Sequence, residues 1–151
     1  MKPLLTFLLA AAALAFISAC GSPTRGKSAA HVIIPAGTFG VENSWTPPEA
    51  QVQEMERELA RMFYAADRRI TGLPDGVPPY PLSDYNIRYS GSGPAESRYI
   101  FAEAMHTSLP ESARLLTMEK VNMPESGGPR YLTFMYDMNR KRITNVRFNT
   151  P

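Results

Sequence analysis

The apolar positions change period once along the chain, from three-to-four to two, and the change separates a helical stretch from a run of strands. Val52, Met55, Leu59, Met62, Phe63, Ala66 and Ile70 recur at steps of three and four, which stacks them on one face of an α-helix. Glu54, Arg57, Glu58, Arg61 and Arg68 fall on the opposite face. Glu54–Arg57 and Glu58–Arg61 are spaced i,i+3 and predict weak ion pairs along that face. Thr46-Pro47-Pro48-Glu49 has the spacing of a capping box, with a proline at the first helical position. Arg68 and Arg69 suit the negative end of the helix, and Gly72 offers a stop.

From Asp84 the alternation is strict. Tyr85, Ile87 and Tyr89 interleave with Asn86 and Arg88, and Gly91-Ser92-Gly93-Pro94 turns the chain. Arg98–His106 places Tyr99, Phe101, Glu103 and Met105 on one side and Ile100, Ala102 and Ala104 on the other. Both sides are largely apolar, as in a central strand, and the alanines leave room for a helix to approach. Residues 108–123 carry two signals. Ser108-Leu109-Pro110-Glu111 fits a helical turn, whereas Leu115–Met123 followed by Pro124–Gly128 fits a strand and its turn. The strand is favoured, because alternation resumes at Arg130–Asp137. Met138–Lys141 is the next turn, and Ile143–Phe148 closes the sheet.

Before the helix, Val32–Ile34 reads as one short strand, paired at a sheet edge or lying on the surface. After it, Gly72–Ser83 is rich in proline. Pro78-Pro79-Tyr80-Pro81 fits a rigid crossover or, less commonly, a recognition segment for an aromatic groove. The expected fold is α+β: one amphipathic helix packed on a four- to five-stranded antiparallel meander. By topology alone this is similar to cystatin-like and nuclear-transport-factor-like folds, which host both enzymes and binding modules.

The first twenty residues have a different pattern. Lys2 precedes an apolar run from Leu4 to Phe16, interrupted only by Thr6. The run is shorter than the roughly 20 residues that span a bilayer and has the plan of a secretory signal. Ile17-Ser18-Ala19-Cys20 follows, and it resembles the lipobox of bacterial lipoproteins, with Ile17 in place of the more usual leucine. The resemblance implies diacylglycerol transfer to the Cys20 sulfur, cleavage after Ala19 and acylation of the new amino terminus. Cleavage after Ala15, as an ordinary secretory signal, leaves Phe16, Ile17 and Cys20 unexplained. A cytoplasmic protein with a buried N-terminal helix requires a helix buried all round. The expected organisation is a signal over 1–19, a lipidated Cys20 and tether over 20–45, and an α+β domain over 46–151. Two or three acyl chains hold a protein stably at a membrane. In a Gram-negative envelope, Gly21 after the cysteine is compatible with the outer membrane and a periplasm-facing domain.

Composition agrees with this address. Cys20 is the only cysteine, so a secreted domain here carries no internal disulfide. The formal net charge is +2, and Lys2 leaves with the signal. A near-neutral domain does not argue for nucleic acid as a partner. Gly21-Ser22-Pro23-Thr24-Arg25-Gly26-Lys27-Ser28 matches the phosphate-loop pattern, but a working loop sits between a buried strand and a helix. Here a cleaved signal precedes it and an extended segment follows, so no nucleotide is expected.

Candidate chemistry is sparse. His31 and His106 are far apart in sequence, and no clustered ligand set predicts a metal or another cofactor. Glu103 is the most interesting acid: buried, it needs a partner or a raised pKa; on a solvated face it pairs with a neighbouring arginine. Glu103, His106 and Asp137 are the candidate ligand-binding residues. Arg140-Lys141-Arg142 is the one basic run, on a turn, where it solvates the end of the sheet or meets anionic lipid. The reading is a lipid-anchored envelope protein, non-catalytic, that binds or assembles with a protein partner. The alternative is a small-ligand-binding protein or minor envelope hydrolase with a pocket between helix and sheet.

Overall fold

The structure, a computed structural model, describes residues 29–122 and 126–149. The expected signal, Cys20 and the phosphate-loop-like match lie outside the described residues. The fold is α+β. Strands β1 (Ala30–Ile33), β2 (Ile70–Thr71), β3 (Tyr85–Ser92), β4 (Tyr99–His106), β5 (Gly128–Asp137) and β6 (Arg142–Asn149) form one sheet, and helix α1 (Glu49–Tyr64) packs on it. The strand order is β1-β3-β4-β5-β6-β2.

The four central strands form the expected antiparallel meander. The six-stranded mixed sheet corrects the expectation of four or five antiparallel strands. β1 pairs with β3, and β2 with β6, both in parallel. The physical reason lies in the helix. α1 connects one sheet edge to the other: its sixteen residues extend about 24 Å, close to the width of six strands at about 4.8 Å spacing. The short segments on either side of α1 therefore land on opposite edges.

The helical stripe behaves as its spacing predicts over Val52, Met55, Leu59 and Met62, all buried. They meet Tyr85, Ile87 and Tyr89 of β3, Ile100, Ala102 and Ala104 of β4, Leu132, Phe134 and Tyr136 of β5, and Ile143, Val146 and Phe148 of β6. Gly91 continues this face of β3. A Cβ there would stand 2.7 Å from the Trp45 ring, so the missing side chain is what admits the indole.

Both ends of α1 differ from expectation. Thr46 does not cap it; its hydroxyl accepts from Ala36 N–H at 2.9 Å, and the helix begins at Glu49 after Pro48. At the other end the chain leaves the helix at Ala65, and Ala66 adopts a left-handed φ of 48°. Asp67 Oδ1 then accepts the Arg69 N–H at 2.9 Å, and its carboxylate grips the Arg69 guanidinium at 2.7 Å. Ile70, expected in the helical stripe, is thereby placed in β2. Gly72, with φ of 82°, presses so closely on the Phe148 backbone that a Cβ would collide with it.

Residues 110–117 form a 3-10 helix rather than the favoured strand. Pro110 starts it, and Ser112 and Leu115, three residues apart and eclipsed in this geometry, are buried together. Leu115 and Val121 close a second, smaller core over Met105 and Tyr131. That core lies on the sheet face opposite α1, where residues 110–117 pack over β1, β3 and β4 and meet Tyr131 of β5. The proline-rich crossover ends with Tyr80 packed against His106, ring centroids 4.3 Å apart and tilted by 44°.

Candidate functional site

The face opposite α1 is the part of the sheet with chemistry exposed on it. Strand register sets its composition. Arg88, Glu103, Thr133 and Arg147 are successive cross-strand partners over β3, β4, β5 and β6, and Thr71 of β2 continues the row. Arg88 is 5% exposed. Its Nε and Nη2 donate to Glu103 Oε2 at 3.0 and 2.7 Å, and Nη1 donates to the Glu119 carbonyl. Its guanidinium also lies 5.5 Å from the Phe39 ring centroid. Each buried charge in this pair thus has a partner, as burial demands.

Beyond that pair the face is open. Two shallow depressions share Met135 as a common wall. One, of about 340 Å3, is lined by Arg98, Tyr99, Asp137, Asn139 and Arg140; the other, of about 350 Å3, by Thr71, Phe101, Thr133, Asn145 and Arg147. Tyr99, Phe101 and Met135 are partly exposed. The arrangement offers aromatic and thioether surface, hydroxyl and amide groups, and guanidinium.

The residues singled out from the sequence do not converge. Glu103 is paired with Arg88 in mid-sheet; the arginine partner is the expected one, but the pair is largely buried rather than on a solvated face. His106 ends β4 and points to the α1 side of the sheet, packed between Tyr80 and Tyr85. Its Nδ1 accepts the Ser108 N–H at 3.1 Å and lies 2.8 Å from the Ser108 hydroxyl, a local turn at the strand end. Asp137 is opposite Tyr99, at the other end of β4, about 23 Å away along seven strand residues. It is occupied with turn capping: Oδ1 accepts from the N–H groups of Asn139 and Arg140 at 3.0 and 2.9 Å. The layer between α1 and the sheet, where a pocket was the alternative expectation, is filled by the core side chains named above.

One cluster was not foreseen. His31 of β1 lies under α1 with its side chain 16% exposed, and Nδ1 is 3.0 Å from Glu56 Oε1. The contact is off the line of an ideal hydrogen bond and acts as a charge pairing. Nε2 lies 3.2 Å from Glu49 Oε1, and Tyr89 donates its hydroxyl to Glu56 at 3.0 Å. The Glu56 carboxylate, opposed by burial and helped by Glu49, raises the His31 pKa from 6.5 to about 9. Burial pushes the Tyr89 phenol well above its ordinary range. Gln53, then His31, hold the Glu49 carboxyl below the usual range. The sequence contained one sign of this cluster: Glu56 sits four residues after Val52 and three before Leu59, inside the apolar stripe. Among the described residues, no group of three or more His, Cys, Asp or Glu could hold a metal ion.

No protein-family model, curated protein or solved structure matches the chain.

Proposed function

We propose that this protein is a lipid-anchored protein of the bacterial cell envelope that serves as a non-catalytic binding or assembly module. The anchor rests on the signal plan and on Ile17-Ser18-Ala19-Cys20, whose cysteine is the only one in the chain. In a two-membrane envelope, Gly21 favours the outer membrane, with the domain facing the periplasm. The observation that carries the binding role is the incompletely covered sheet face, where Tyr99, Phe101, Met135 and Arg147 line open depressions. The candidate acids and histidine are dispersed and engaged elsewhere, which supports binding over hydrolysis. The likeness to cystatin-like and nuclear-transport-factor-like topologies rests on the meander and adds no activity.

The anchor is tested by expressing Cys20→Ala beside the parent chain in cells fed a labelled fatty acid. The parent should incorporate label and sediment with membranes; the variant should do neither. A variant that remains labelled and membrane-bound would falsify the lipoprotein reading.

A further inference from the structure

The open face has a charge and composition of its own, and from these we infer its occupant: an extended acidic segment of a protein partner. The inference rests on the binding-module reading and specifies its site. Strand register puts Arg142 opposite Asp137 and Arg147 opposite Thr133, both on the side away from α1. Arg98 and Arg140 line the first depression and Arg147 the second. Arg140 pairs with Asp137 at 3.5 Å. Arg142 and Arg147 make no ion pair among the described residues, whereas the Arg98 guanidinium lies 5.4 Å from the centroid of the Trp45 ring, beside the core under α1. The acids close by are Asp137, held by Arg140, and Glu96 of the neighbouring turn, so three arginines, Arg140, Arg142 and Arg147, stand against two carboxylates. The domain as a whole is nearly neutral, and this excess is therefore local.

The floor narrows the class of partner. Tyr99, Phe101 and Met135 with surrounding arginines match the residue types enriched in protein–protein contacts. Aromatic side chains and arginine also dominate the binding energy of such contacts. Arginine presents a planar fork that pairs with carboxylates through two hydrogen bonds. Two shallow depressions joined at Met135 follow the sheet surface across β4, β5, β6 and β2, about 14 Å at strand spacing. That shape takes an extended chain rather than a compact small molecule. Thr133, Thr144 and Asn145 supply hydrogen-bonding groups along it.

The position of the anchor is consistent with a partner away from the lipid. Ala30 pairs with Asn86 at the start of β3, whereas Tyr99, Asp137 and the 138–141 turn lie at the other end of the strands. The chain from Cys20 thus joins the domain about 20 Å from the arginine-rich end.

The test is site-specific photocrosslinking in living cells, with the full-length protein carrying p-benzoylphenylalanine in place of Phe101 or Met135. Tyr64, 96% exposed at the end of α1, is the control position. The expected result is a discrete protein adduct from positions 101 and 135 that position 64 does not form. Mass spectrometry should place the crosslink in a segment with more Asp and Glu than Lys and Arg. Arg142→Glu combined with Arg147→Glu should reduce adduct yield at least tenfold while the melting temperature changes by only a few degrees. Absence of the adduct, an adduct indifferent to charge reversal, an equal adduct from Tyr64, or crosslinks to lipid or glycan alone would each overturn the inference. Membrane fractionation of the same cells reads the anchor separately. An anchored chain without face-specific adducts removes this partner and leaves the lipoprotein reading in place.

Discussion

His31, Ile87, Ala104, Leu132 and Phe148 form one cross-strand row of the sheet, and Val32, Arg88, Glu103, Thr133 and Arg147 form the next. Successive residues of a strand point to opposite faces, so the two rows lie one residue apart and on opposite sides. The first is under α1 and apolar except at its β1 end. The second is charged in the middle, where Arg88 meets Glu103, and open at the β6 end. The same backbone therefore carries a closed, stabilising face and a face available for contact. A one-residue slip in register would exchange them. Each face also holds a charged contact that fastens a further segment: His31, with buried Glu56 and the more exposed Glu49, ties β1 to α1, while Arg88 with Glu103 ties the loop at Glu119 to the sheet.

The contrast is sharpest in paired truncations. Phe134→Ala, in the closed face, is expected to cost about 3–5 kcal/mol, as for buried aromatic side chains generally. Phe101→Ala, partly exposed on the open face, should cost about 1 kcal/mol or less. Thermal and urea unfolding followed by circular dichroism measures both. Equal losses would mean that the open face is as much core as the covered one.

A smaller effect is expected at the Arg88–Glu103 pair. Glu103→Ala leaves Arg88 buried with only the Glu119 carbonyl to receive its charge. The expected cost is about 1–3 kcal/mol, below that of a fully buried pair because Glu103 retains some exposure. Adding Arg88→Met to Glu103→Ala should recover part of the loss in urea unfolding. A double variant less stable than the single one would show that Arg88 stabilises this face by packing on Phe39 rather than by charge.

The smallest effect separates the two pairs by pH. His31 has its ordinary pKa of 6.5 when unfolded and about 9 when folded, with Glu49 and Glu56 of α1 and Tyr89 of β3 facing it. Folding therefore takes up protons at this site. Its contribution is complete below pH 6.5, declines as pH rises, and is lost through pH 9. About 1–2 kcal/mol is expected, because Glu49 is more than half exposed and solvent screens its share. Urea midpoints between pH 6 and pH 10 should fall for the parent chain and fall less for His31→Gln. Parallel curves would remove the His31 clasp as an electrostatic element.

Much of this architecture was legible because it is local. The step of three and four from Val52 to Met62 identified the buried face of α1. The step of two from Tyr85 to Tyr136, and again from Val146 to Phe148, identified β3, β4, β5 and β6. The alanines of β4 marked the side beneath the helix, and the position of Glu103 beside Phe101 put it on the other. The end of α1 was misjudged because Ile70 keeps the helical spacing, while the Asp67–Arg69 bond that stops the helix depends on side-chain geometry. The 3-10 helix at Pro110–Thr117 was misjudged because short apolar runs fit more than one period.

The sequence by itself determined which residues would line the faces of β3, β4 and the middle of β5, since alternation follows from backbone geometry once a strand exists; in β6 a bulge between Thr144 and Arg147 breaks the alternation and brings Ile143 to the same face as Val146. It also supplied the whole basis for the proposed anchor at Cys20, which is read from the linear order of residues alone. Only the tertiary structure decided that β1 and β2 pair in parallel at opposite edges, that His31 meets Glu49 and Glu56 across α1, and that the second small core stops short of Phe101 and Met135. Those outcomes depend on which segments meet across long separations in the chain. They are governed by the length of α1 against the width of the sheet, and no local pattern encodes that match.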